Sequence, residues 1–372
     1  MLAFSDLYSD LSIIFKENFK TLQMAKSENL ISGIQQVGIG VPDAGESFKW
    51  YNKNLGLDVP VFDDIADAKL MVRYTDGNIR RRRAILAVNM AGGGGAEIWE
   101  SKNPLPIASA FKPKMGDLGI FALKIKSQDV MTLSKSKSLP TFRTPENKPT
   151  AWLKDNFGNQ LQLVEDDSWF MNSSANTGGV LGVVLGVSDM DKALKLYKDV
   201  LGLESIVYDK TGSFDDFSGL NADSKQFRRV LLRKSQSAAG AFSRLFGNIE
   251  LELVQALDLS DRKTIMEGRS WGDLGFIHLC FDALNMDKLG KKLLANGFPF
   301  VVDSANSFDM GDAAGRFTYI EDPDGTLIEF VETHKVPILK KIGWYINLKK
   351  RKTQNPLPNW MVKTLGWGRV KL

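Results

Sequence analysis

Two internal repeats constrain the fold of this chain more than any other feature. Residues 34–57, IQQVGIGVPDAGESFKWYNKNLGL, align without a gap with residues 180–203, VLGVVLGVSDMDKALKLYKDVLGL. In each copy a strand with alternating faces is followed by an aspartate and a helical segment that ends in Tyr-x-x-x-Leu-Gly-Leu. A second type of repeat begins at GDLG, where residues 116–130 match residues 272–286. The chain is therefore predicted to contain several copies of a similar unit.

The second type of repeat also shows how each unit ends. Its two copies close on a turn and a strand, DNFGNQLQLVE at 155–165 and DPDGTLIEFVE at 322–332, and the glycine suits a hairpin position with positive φ. We predict an α+β chain of four βαβββ modules, in which the two types alternate. One such module leaves a curled sheet with an exposed concave face, so modules must pair to bury it. The expected result is two cupped mixed sheets.

The module boundaries give the expected domain organisation. We predict an N-terminal helical extension at 1–32, a first half with modules 1 and 2 at 33–165, a linker at 166–179, a second half with modules 3 and 4 at 180–334, and a basic aromatic tail at 335–372. The extension is predicted to be an amphipathic helix from the spacing of its apolar residues, Leu7, Leu11, Ile14, Phe15, Phe19 and Leu22.

Composition indicates an ordinary soluble globular protein, with 43% hydrophobic and 25% charged residues. The single cysteine, Cys280, excludes a disulfide framework within the chain. Asp6 and Asp10 interrupt the apolar N-terminus and no cationic segment precedes it, so we do not expect a signal peptide. A cytoplasmic location is expected.

The charge of the chain is unevenly distributed. The net charge is +4, but residues 335–372 contain ten Lys or Arg and no Asp or Glu, so the rest of the chain carries −6 (38 basic against 44 acidic residues). The aromatic residues interleaved with these cations are Trp344, Tyr345, Trp360 and Trp367. Two interpretations are open: the tail folds over its own acidic body with indoles in grooves, or it makes a weak contact with an anionic membrane surface. No nucleic-acid motif is present elsewhere, so we expect a small-molecule substrate and no nucleic acid.

The motifs V-x-D … Y-x-x-x-L-G-L and D-P-D-G-x-x-I-E-F together resemble the vicinal-oxygen-chelate superfamily. That superfamily includes glyoxalase I, extradiol dioxygenases, 4-hydroxyphenylpyruvate dioxygenase and bleomycin-resistance proteins, and the resemblance covers residues 33–334. It implies a duplicated glyoxalase/dioxygenase fold. It also implies metal ligands on the first and last strand of each module, facing into the cup.

Period-two alternation assigns one residue to each of these ligand positions. They are Gln36 and Glu97 in module 1, Ala122 and Gln162 in module 2, Gly182 and Glu252 in module 3, and His278 and Glu329 in module 4. Pairing modules within each half gives two incomplete sites. Pairing module 1 with module 4 instead gives the set Gln36, Glu97, His278 and Glu329, which resembles the Gln, Glu, His, Glu ligands of some glyoxalase I enzymes. We predict this crossed metal site, with pairing within the halves as the alternative.

The ligand set implies the chemistry. An imidazole, two carboxylates and an amide suit a divalent ion, and zinc, nickel, cobalt, manganese and iron all remain candidates. The resemblance implies a glyoxalase-type isomerase or lyase that acts on a small vicinal-oxygen substrate through a metal-bound enediolate, with Glu329 and then Glu97 as the catalytic base. Glutathione-dependent relatives carry an arginine four residues beyond the first ligand, where this chain has Gly40. A hydroxyketone, a dicarbonyl or a thiol adduct is therefore an equally good substrate class.

Residues that bind the substrate are expected near the ligands. Four arginines precede the strand AILAV, and alternation sends half of them into the cup. We take Arg81 and Arg83, together with Trp99 two positions beyond Glu97, as substrate-binding residues, because a guanidinium binds a carboxylate or phosphate bidentately. A solvated strand edge is the alternative for the arginines.

Two other functions remain open at this point. A non-haem iron dioxygenase similar to 4-hydroxyphenylpyruvate dioxygenase would share the length and the duplication. It needs two histidines and a carboxylate from modules 3 and 4, whereas only His278 and Glu329 are present there, with Gly182 in place of the other histidine. The second alternative is a small-molecule-binding protein without a metal.

Overall fold

The computed structural model describes residues 29–172, 176–220, 226–259, 261–305, 308–309, 314–339, 343–349, 351 and 354–372. Almost all of the predicted N-terminal extension lies outside these residues. Of its last residues, Ile31 and Ser32 already belong to the first strand. The first strand of module 3 begins at Thr177, inside the segment predicted as a linker.

The described chain contains the four predicted modules. Module 1 comprises β1 (Ile31–Gly40), α1 (Ala44–Leu55), β2 (Val59–Asp67), β3 (Arg81–Val88) and β4 (Gly95–Asn103). Module 2 comprises β5 (Gly119–Ser127), α2 (Val130–Ser136), β6 (Thr141–Arg143), β7 (Pro149–Lys154) and β8 (Gln160–Glu165). Module 3 comprises β9 (Thr177–Gly186), α3 (Met190–Leu194, continued by a π turn at Lys195–Val200), β10 (Ser205–Gly212), β11 (Phe227–Lys234), α4 (Ser243–Phe246) and β12 (Ile249–Ala256).

Module 4 and the tail complete the described elements. Module 4 comprises β13 (Gly275–Ala283), α5 (Met286–Ala295), β14 (Val302–Asp303), β15 (Phe308–Asp309), β16 (Ala314–Glu321) and β17 (Leu327–Leu339). The tail contributes β18 (Trp344–Asn347), α6 (Asn359–Lys363) and a 3₁₀ turn at Thr364–Gly368. Strands and helices of this number and order give the predicted α+β fold.

The modules pair in the crossed manner. The first sheet has the order β14-β16-β17-β13-β1-β4-β3-β2, with β15 and β18 attached, so it consists of modules 4 and 1. The second sheet has the order β10-β11-β12-β9-β5-β8-β7-β6 and consists of modules 3 and 2. The sequence halves 33–165 and 180–334 are therefore not the units that close the cups, because each sheet takes one module from each half. The segments that enter and leave the second sheet also pair, through Leu118 and Thr264.

The aspartates that precede the repeated helices act as N-caps. Asp43 accepts a hydrogen bond from the backbone N–H of Glu46 at 2.9 Å, and Asp189 accepts from the N–H groups of Asp191 and Lys192. An N-cap carboxylate satisfies N–H groups that have no partner within the helix. The aspartate recurs in both repeats because each of these helices begins directly after it and uses it as the N-cap.

The repeated tyrosine and the repeated turn contact each other across the two sheets. Tyr51 of module 1 donates to Asp155 of module 2 at 3.0 Å, and Tyr197 of module 3 donates to Asp322 of module 4 at 2.9 Å. All four side chains are buried. A buried hydroxyl and a buried carboxyl each need a hydrogen-bond partner. The tyrosine of the first repeat type and the aspartate of the second therefore recur together because each is the partner of the other. They also link the sheets twice, at equivalent places.

The cup of the second sheet is filled by a network of buried ion pairs. Nζ of Lys124 lies 2.7 Å from Glu250 and 3.1 Å from Glu252. Arg229 contacts Glu252 and also holds Asp216 through two hydrogen bonds of 2.7 Å. Burial raises the pKa of Glu252, but Arg229 and Lys124 lower it more, to about 2. Cationic side chains thus neutralise the carboxylates of this cup.

The tail folds back on the cup of the first sheet. Leu357 and Val362 are buried in one apolar cluster with Leu86 and Val88 of β3. The sequence interpretation of a folded-back tail is therefore correct for these aliphatic side chains, but Trp360 and Trp367 are exposed rather than placed in grooves. No helix within the described ranges is long and apolar enough to cross a membrane.

Replacement of Lys124 by Met should destabilise the protein strongly. The change leaves Glu250 and Glu252 without one of their buried cations, and removal of one partner from a buried ion pair typically costs about 3–5 kcal/mol. The free energy of unfolding in urea measures the loss. Lys49→Met is the matched control, since Lys49 pairs with Glu46 on an exposed helix surface and such pairs contribute about 0–1 kcal/mol. Equal stabilities of the two variants would contradict a structural role of Lys124.

Candidate metal centre

Four adjacent strands of the first sheet each place one polar side chain in the cup. The strands β17, β13, β1 and β4 are neighbours in that order, and they carry Glu329, His278, Gln36 and Glu97. The ligating atoms of Glu97, His278 and Glu329 all lie within 4.8 Å of one another. All four residues are buried, with His278 fully inaccessible. The crossed pairing of modules thus brings together the residues that the sequence selected.

Strand alternation and one glycine make room for this cluster. Val37 and Ile39 on the opposite face of β1 belong to the main apolar core, so Gln36 and Gly38 face the cup. A Cβ atom at Gly38 would lie 2.5 Å from Cε1 of His278. The imidazole can therefore occupy its position only because residue 38 has no side chain.

The histidine nitrogen lies between the two carboxylates. Nε2 of His278 is 3.2 Å from Oε2 of Glu97 and 3.1 Å from Oε2 of Glu329. Nε2 of Gln36 donates to Oε2 of Glu97 at 2.8 Å and lies 3.5 Å from Oε2 of Glu329. Burial lowers the pKa of His278, but Glu329 and Glu97 raise it more, to about 9. The carboxylates therefore create a strong preference for a cation at this nitrogen.

The other nitrogen of the imidazole faces a tyrosine. Nδ1 of His278 lies 3.4 Å from the hydroxyl of Tyr319, and the two rings meet edge to face with centroids 5.5 Å apart. Tyr319 lies on β16 directly opposite Glu329 of β17. A partner at Nδ1 fixes the orientation of a histidine and leaves Nε2 as the atom that faces a ligand.

The cluster fits a divalent metal ion. Nε2 of His278 is buried and lacks a hydrogen bond of good geometry to any described residue, and a buried polar atom without such a bond is costly. An imidazole, two carboxylates and an amide are donors suited to zinc, nickel, cobalt, manganese or iron. Gln36 would bind through its amide oxygen, which requires the opposite orientation of the amide from the one in which Nε2 faces Glu97.

Aromatic residues form one wall beside the cluster. Trp99 packs edge to face on Trp271 with centroids 4.6 Å apart, and both belong to a buried apolar cluster that includes Tyr319. The indole N–H groups of both tryptophans are buried and have no hydrogen-bond partner among the described residues. The predicted position of Trp99 on the cup face is therefore observed, with a donor available beside the site.

The expected roles of Arg81 and Arg83 need correction. Both lie on the outer face of β3, where Arg81 pairs with Asp67 and Arg83 forms two hydrogen bonds of 2.8 Å with Asp63. Arg80 and Arg82 are the buried arginines of this run. Arg80 pairs with Asp273 at 2.7 Å, and the guanidinium of Arg82 pairs with Asp64 at 2.8 Å and lies 4.8 Å from the Trp99 ring. Alternation correctly predicted that every second arginine faces inward. It could not predict which ones, because the register of β3 depends on its pairing with β2 and β4.

The equivalent positions of the second sheet form no comparable cluster among the described residues. Glu252 and Gln162 occupy the places that Glu97 and Glu329 have in the first sheet, and both amide atoms of Gln162 are buried without a partner. The sequence interpretation missed Lys124, which occupies this cup together with Arg229. A signal for Lys124 exists, because Lys124 follows five apolar or glycine residues of β5 and lies two positions beyond Ala122, therefore on the same face.

A polar cavity lies at one end of the first cup. It has a volume of about 240 Å³ and is lined by residues 240–242 of module 3, the ends of β13 and β17, and the tail. Asp282, which shares a face of β13 with His278, contributes to its wall and accepts hydrogen bonds from the side chains of Ser32 and Gln35. Burial raises the pKa of Asp282 to about 7, although these hydrogen bonds lower it in part.

Comparisons with known proteins agree with this architecture. Residues 183–319 match the family model of the Glyoxalase/Bleomycin resistance protein/Dioxygenase superfamily. A candidate dioxygenase from Bacillus subtilis is similar over 93% of this chain and 98% of its own, with 14% identity and a TM-score of 0.51. A glyoxalase I mutant from Zea mays is similar over 81% of this chain and 92% of its own, with 13% identity and a TM-score of 0.50. Comparison with curated protein sequences gives no match. The predicted duplicated glyoxalase/dioxygenase fold is confirmed.

Asp282 should make stability depend on pH near neutrality. Its folded-state pKa of about 7 lies above the value of about 3.9 in an unfolded chain, so the folded state binds the extra proton between these values. The stabilisation is fully present below about pH 4 and is lost as the pH rises through about 7. The free energy of unfolding of the parent should therefore fall between pH 5 and pH 8 relative to that of Asp282→Asn, which cannot ionise. The difference between the two proteins should change in favour of the variant by on the order of 1–4 kcal/mol.

Urea unfolding at the two pH values measures this gain. Asp67→Asn, at an exposed pair with Arg81, is the control and should not show it. If the free energies of unfolding of the parent and Asp282→Asn differed by the same amount at both pH values, the raised pKa of Asp282 would be contradicted.

Proposed function

We propose that this chain, whose residues 183–319 match the family model of the glyoxalase, bleomycin-resistance and dioxygenase superfamily, is a divalent-metal-dependent enzyme of the glyoxalase type. The reaction class is an isomerase or lyase that acts on a small substrate with neighbouring oxygen atoms. The observation that carries the proposal is the buried convergence of Glu97, His278 and Glu329. Gln36 completes a set of four donors at the same place.

These four side chains would hold the ion. When bound, a divalent ion acts as a Lewis acid that polarises a substrate oxygen and stabilises negative charge on it. The protein supplies the remaining functions: His278 is oriented by Tyr319, and Gln36 positions Glu97 by hydrogen bonding. The buried setting excludes water, which strengthens each electrostatic interaction with the substrate.

Glu329 is the proposed general base. Glu97 accepts a hydrogen bond of 2.8 Å from Gln36, whereas the corresponding distance to Glu329 is 3.5 Å, at the limit of a hydrogen bond. Glu329 therefore lacks the short amide hydrogen bond that holds Glu97, and we assign to it the role of accepting a proton from the carbon next to a substrate carbonyl. Returning that proton to the neighbouring carbon, while the hydroxyl proton moves from one substrate oxygen to the other, completes the isomerisation of a hydroxyketone.

The walls of the cup favour a small substrate that carries an oxygen beside an apolar or aromatic group. The apolar cluster around Trp99 and Trp271 offers two indole N–H donors that lack partners among the described residues. A glutathione-binding arginine at residue 40 is sterically impossible in this structure, because a Cβ at Gly40 would lie 1.8 Å from the carbonyl oxygen of Asp273. We therefore favour a hydroxyketone or dicarbonyl over a glutathione adduct.

The two alternatives agree less well with the site. An iron dioxygenase with two histidine ligands needs a second imidazole, but the chain has only two histidines, and His334 pairs with Glu332 at 3.0 Å. In a binding protein without a metal, the imidazole of His278 would be the one cationic partner among the described residues that faces the two buried carboxylates of Glu97 and Glu329. A buried carboxylate without a cationic partner is costly. For location we propose the cytoplasm, since the one cysteine, Cys280, is a buried free thiol.

The purified protein should bind about one divalent ion per chain at this site. His278→Ala and Glu97→Ala should each reduce the metal content, because a cluster of buried donors loses affinity with each ligand removed. Elemental analysis together with titration of the apoprotein measures the stoichiometry. Gln162→Leu is the matched control, since Gln162 occupies the place of Glu329 in the other cup. Unchanged metal content in the first two variants would contradict the proposed centre.

Glu329→Gln should lower turnover far more than substrate binding. An amide can still donate an oxygen to a metal but cannot accept the proton, and loss of a general base typically costs about 10²–10⁴-fold in rate. Comparison of kcat and KM for a dicarbonyl or hydroxyketone substrate gives the result. The corresponding Glu97→Gln variant distinguishes the two carboxylates. If Glu329→Gln turned over normally while Glu97→Gln did not, Glu97 would be the base.

A further inference from the structure

The tail exposes its largest aromatic side chains. Trp360 is 55% exposed and Trp367 is 71% exposed, whereas Leu357 and Val362 in the same segment are 2% and 1% exposed. Tryptophan offers more apolar area for burial than any of these aliphatic side chains. A segment that buries its smaller apolar residues and leaves its indoles more than half exposed is therefore typical of a surface that a partner covers.

The two indoles lie on one side of the tail. Helix α6 continues directly into the 3₁₀ turn, so residues 359–368 form an unbroken helical run. A separation of seven positions brings Trp360 and Trp367 to the same side of such a run. Val362, two positions beyond Trp360, lies on the opposite side of the run and is buried. We call the exposed side, with Trp360, Lys363 and Trp367, the tail face.

The tail face is surrounded by cationic side chains. Lys363, Arg369 and Lys371 are exposed, and residues 335–372 contain no acidic residue. Arg244 of α4 adds a further exposed cation, because it donates to the side chain of Asn359, next to Trp360, at 2.9 Å. Asp58 neutralises Arg369 in part, at 3.4 Å. The surface therefore combines two indoles with several cations from two separate parts of the chain.

We propose that the tail face binds the surface of an anionic lipid bilayer. Tryptophan is enriched at membrane–water interfaces, where its ring lies at the level of the headgroups. Lysine and arginine near such a surface are attracted by anionic lipids over about one Debye length. Residues 1–334 carry a net charge of −6, so the same field repels the rest of the molecule. This asymmetry orients the protein with its tail toward the lipid.

A nucleic acid fits this surface less well. Single-stranded nucleic acids bind where aromatic side chains lie along a positively charged groove. Indoles that are more than half exposed on a short helical segment do not line a groove. They can, however, enter the headgroup layer of a bilayer without rearrangement of the protein.

Sedimentation of the full-length protein with lipid vesicles tests the proposal. We expect binding to phosphatidylcholine vesicles that contain phosphatidylserine, little binding to phosphatidylcholine alone, and loss of binding as salt is raised. The double variant Trp360→Ser with Trp367→Ser should reduce the partition coefficient by about tenfold or more. The matched control is Leu105→Ser with Ile107→Ser, which removes two exposed apolar side chains, 75% and 56% accessible, far from the tail in sequence.

A second variant separates charge from folding effects. Lys363→Glu with Lys371→Glu retains both indoles and should also abolish binding to the anionic vesicles, while the urea midpoint stays at the parent value. Equal binding of parent and both tail variants to the vesicles would overturn the proposal. Binding of the parent to a single-stranded RNA oligonucleotide in place of vesicles would overturn it as well and assign the tail face to nucleic acid.

Discussion

The antiparallel pairing of β1 with β13 is the interaction on which the rest of this structure depends. It joins module 1 to module 4, places Gly38 opposite His278, and sets the two pairs of ligand-bearing strands side by side. The equivalent pairing of β5 with β9 joins the other two modules. Since a single curled module cannot bury its concave face, these two central pairings decide which side chains share a cup. The chemistry of each cup then follows from the residues that the pairing combines.

The two cups solve the same electrostatic problem in different ways. Each buries carboxylates contributed by its last strands, and a buried carboxylate needs a cationic partner. In the second cup Lys124 and Arg229 are that partner, so an ammonium and a guanidinium fill the space. In the first cup the described carboxylates face a single imidazole. The donor atoms of the first cup are therefore arranged so that a cation could bind between them. In the second cup, ion pairs within the chain occupy the corresponding space.

Much of this arrangement could be predicted from the sequence, because repeats and alternation are local properties. They located the four modules and the helix caps, and they placed Gln36, Glu97, His278 and Glu329 on strand faces that prove to share a cup. They could not fix the face of Arg81 and Arg83, because a shift of one residue exchanges the two faces of a strand. The partners of Tyr51 and Tyr197 also lay beyond local reasoning, since each contact joins modules in different sheets. For the tail, composition identified the cations, whereas only the packing shows which side chains are buried.

The crossed pairing also has a consequence for how the chain is made. Gln36 and Glu329 are 293 positions apart, so at about 5–20 residues per second a ribosome needs roughly 15–60 s to synthesise the partner of module 1. During that interval the edge of β1 is open to pairing with other chains. Modules 2 and 3 are contiguous and can close first. The contact between Leu118 and Thr264 then holds the ends of this insert together, which shortens the loop that module 4 must close. If the second cup closes first, it therefore lowers the entropy cost of closing the first cup.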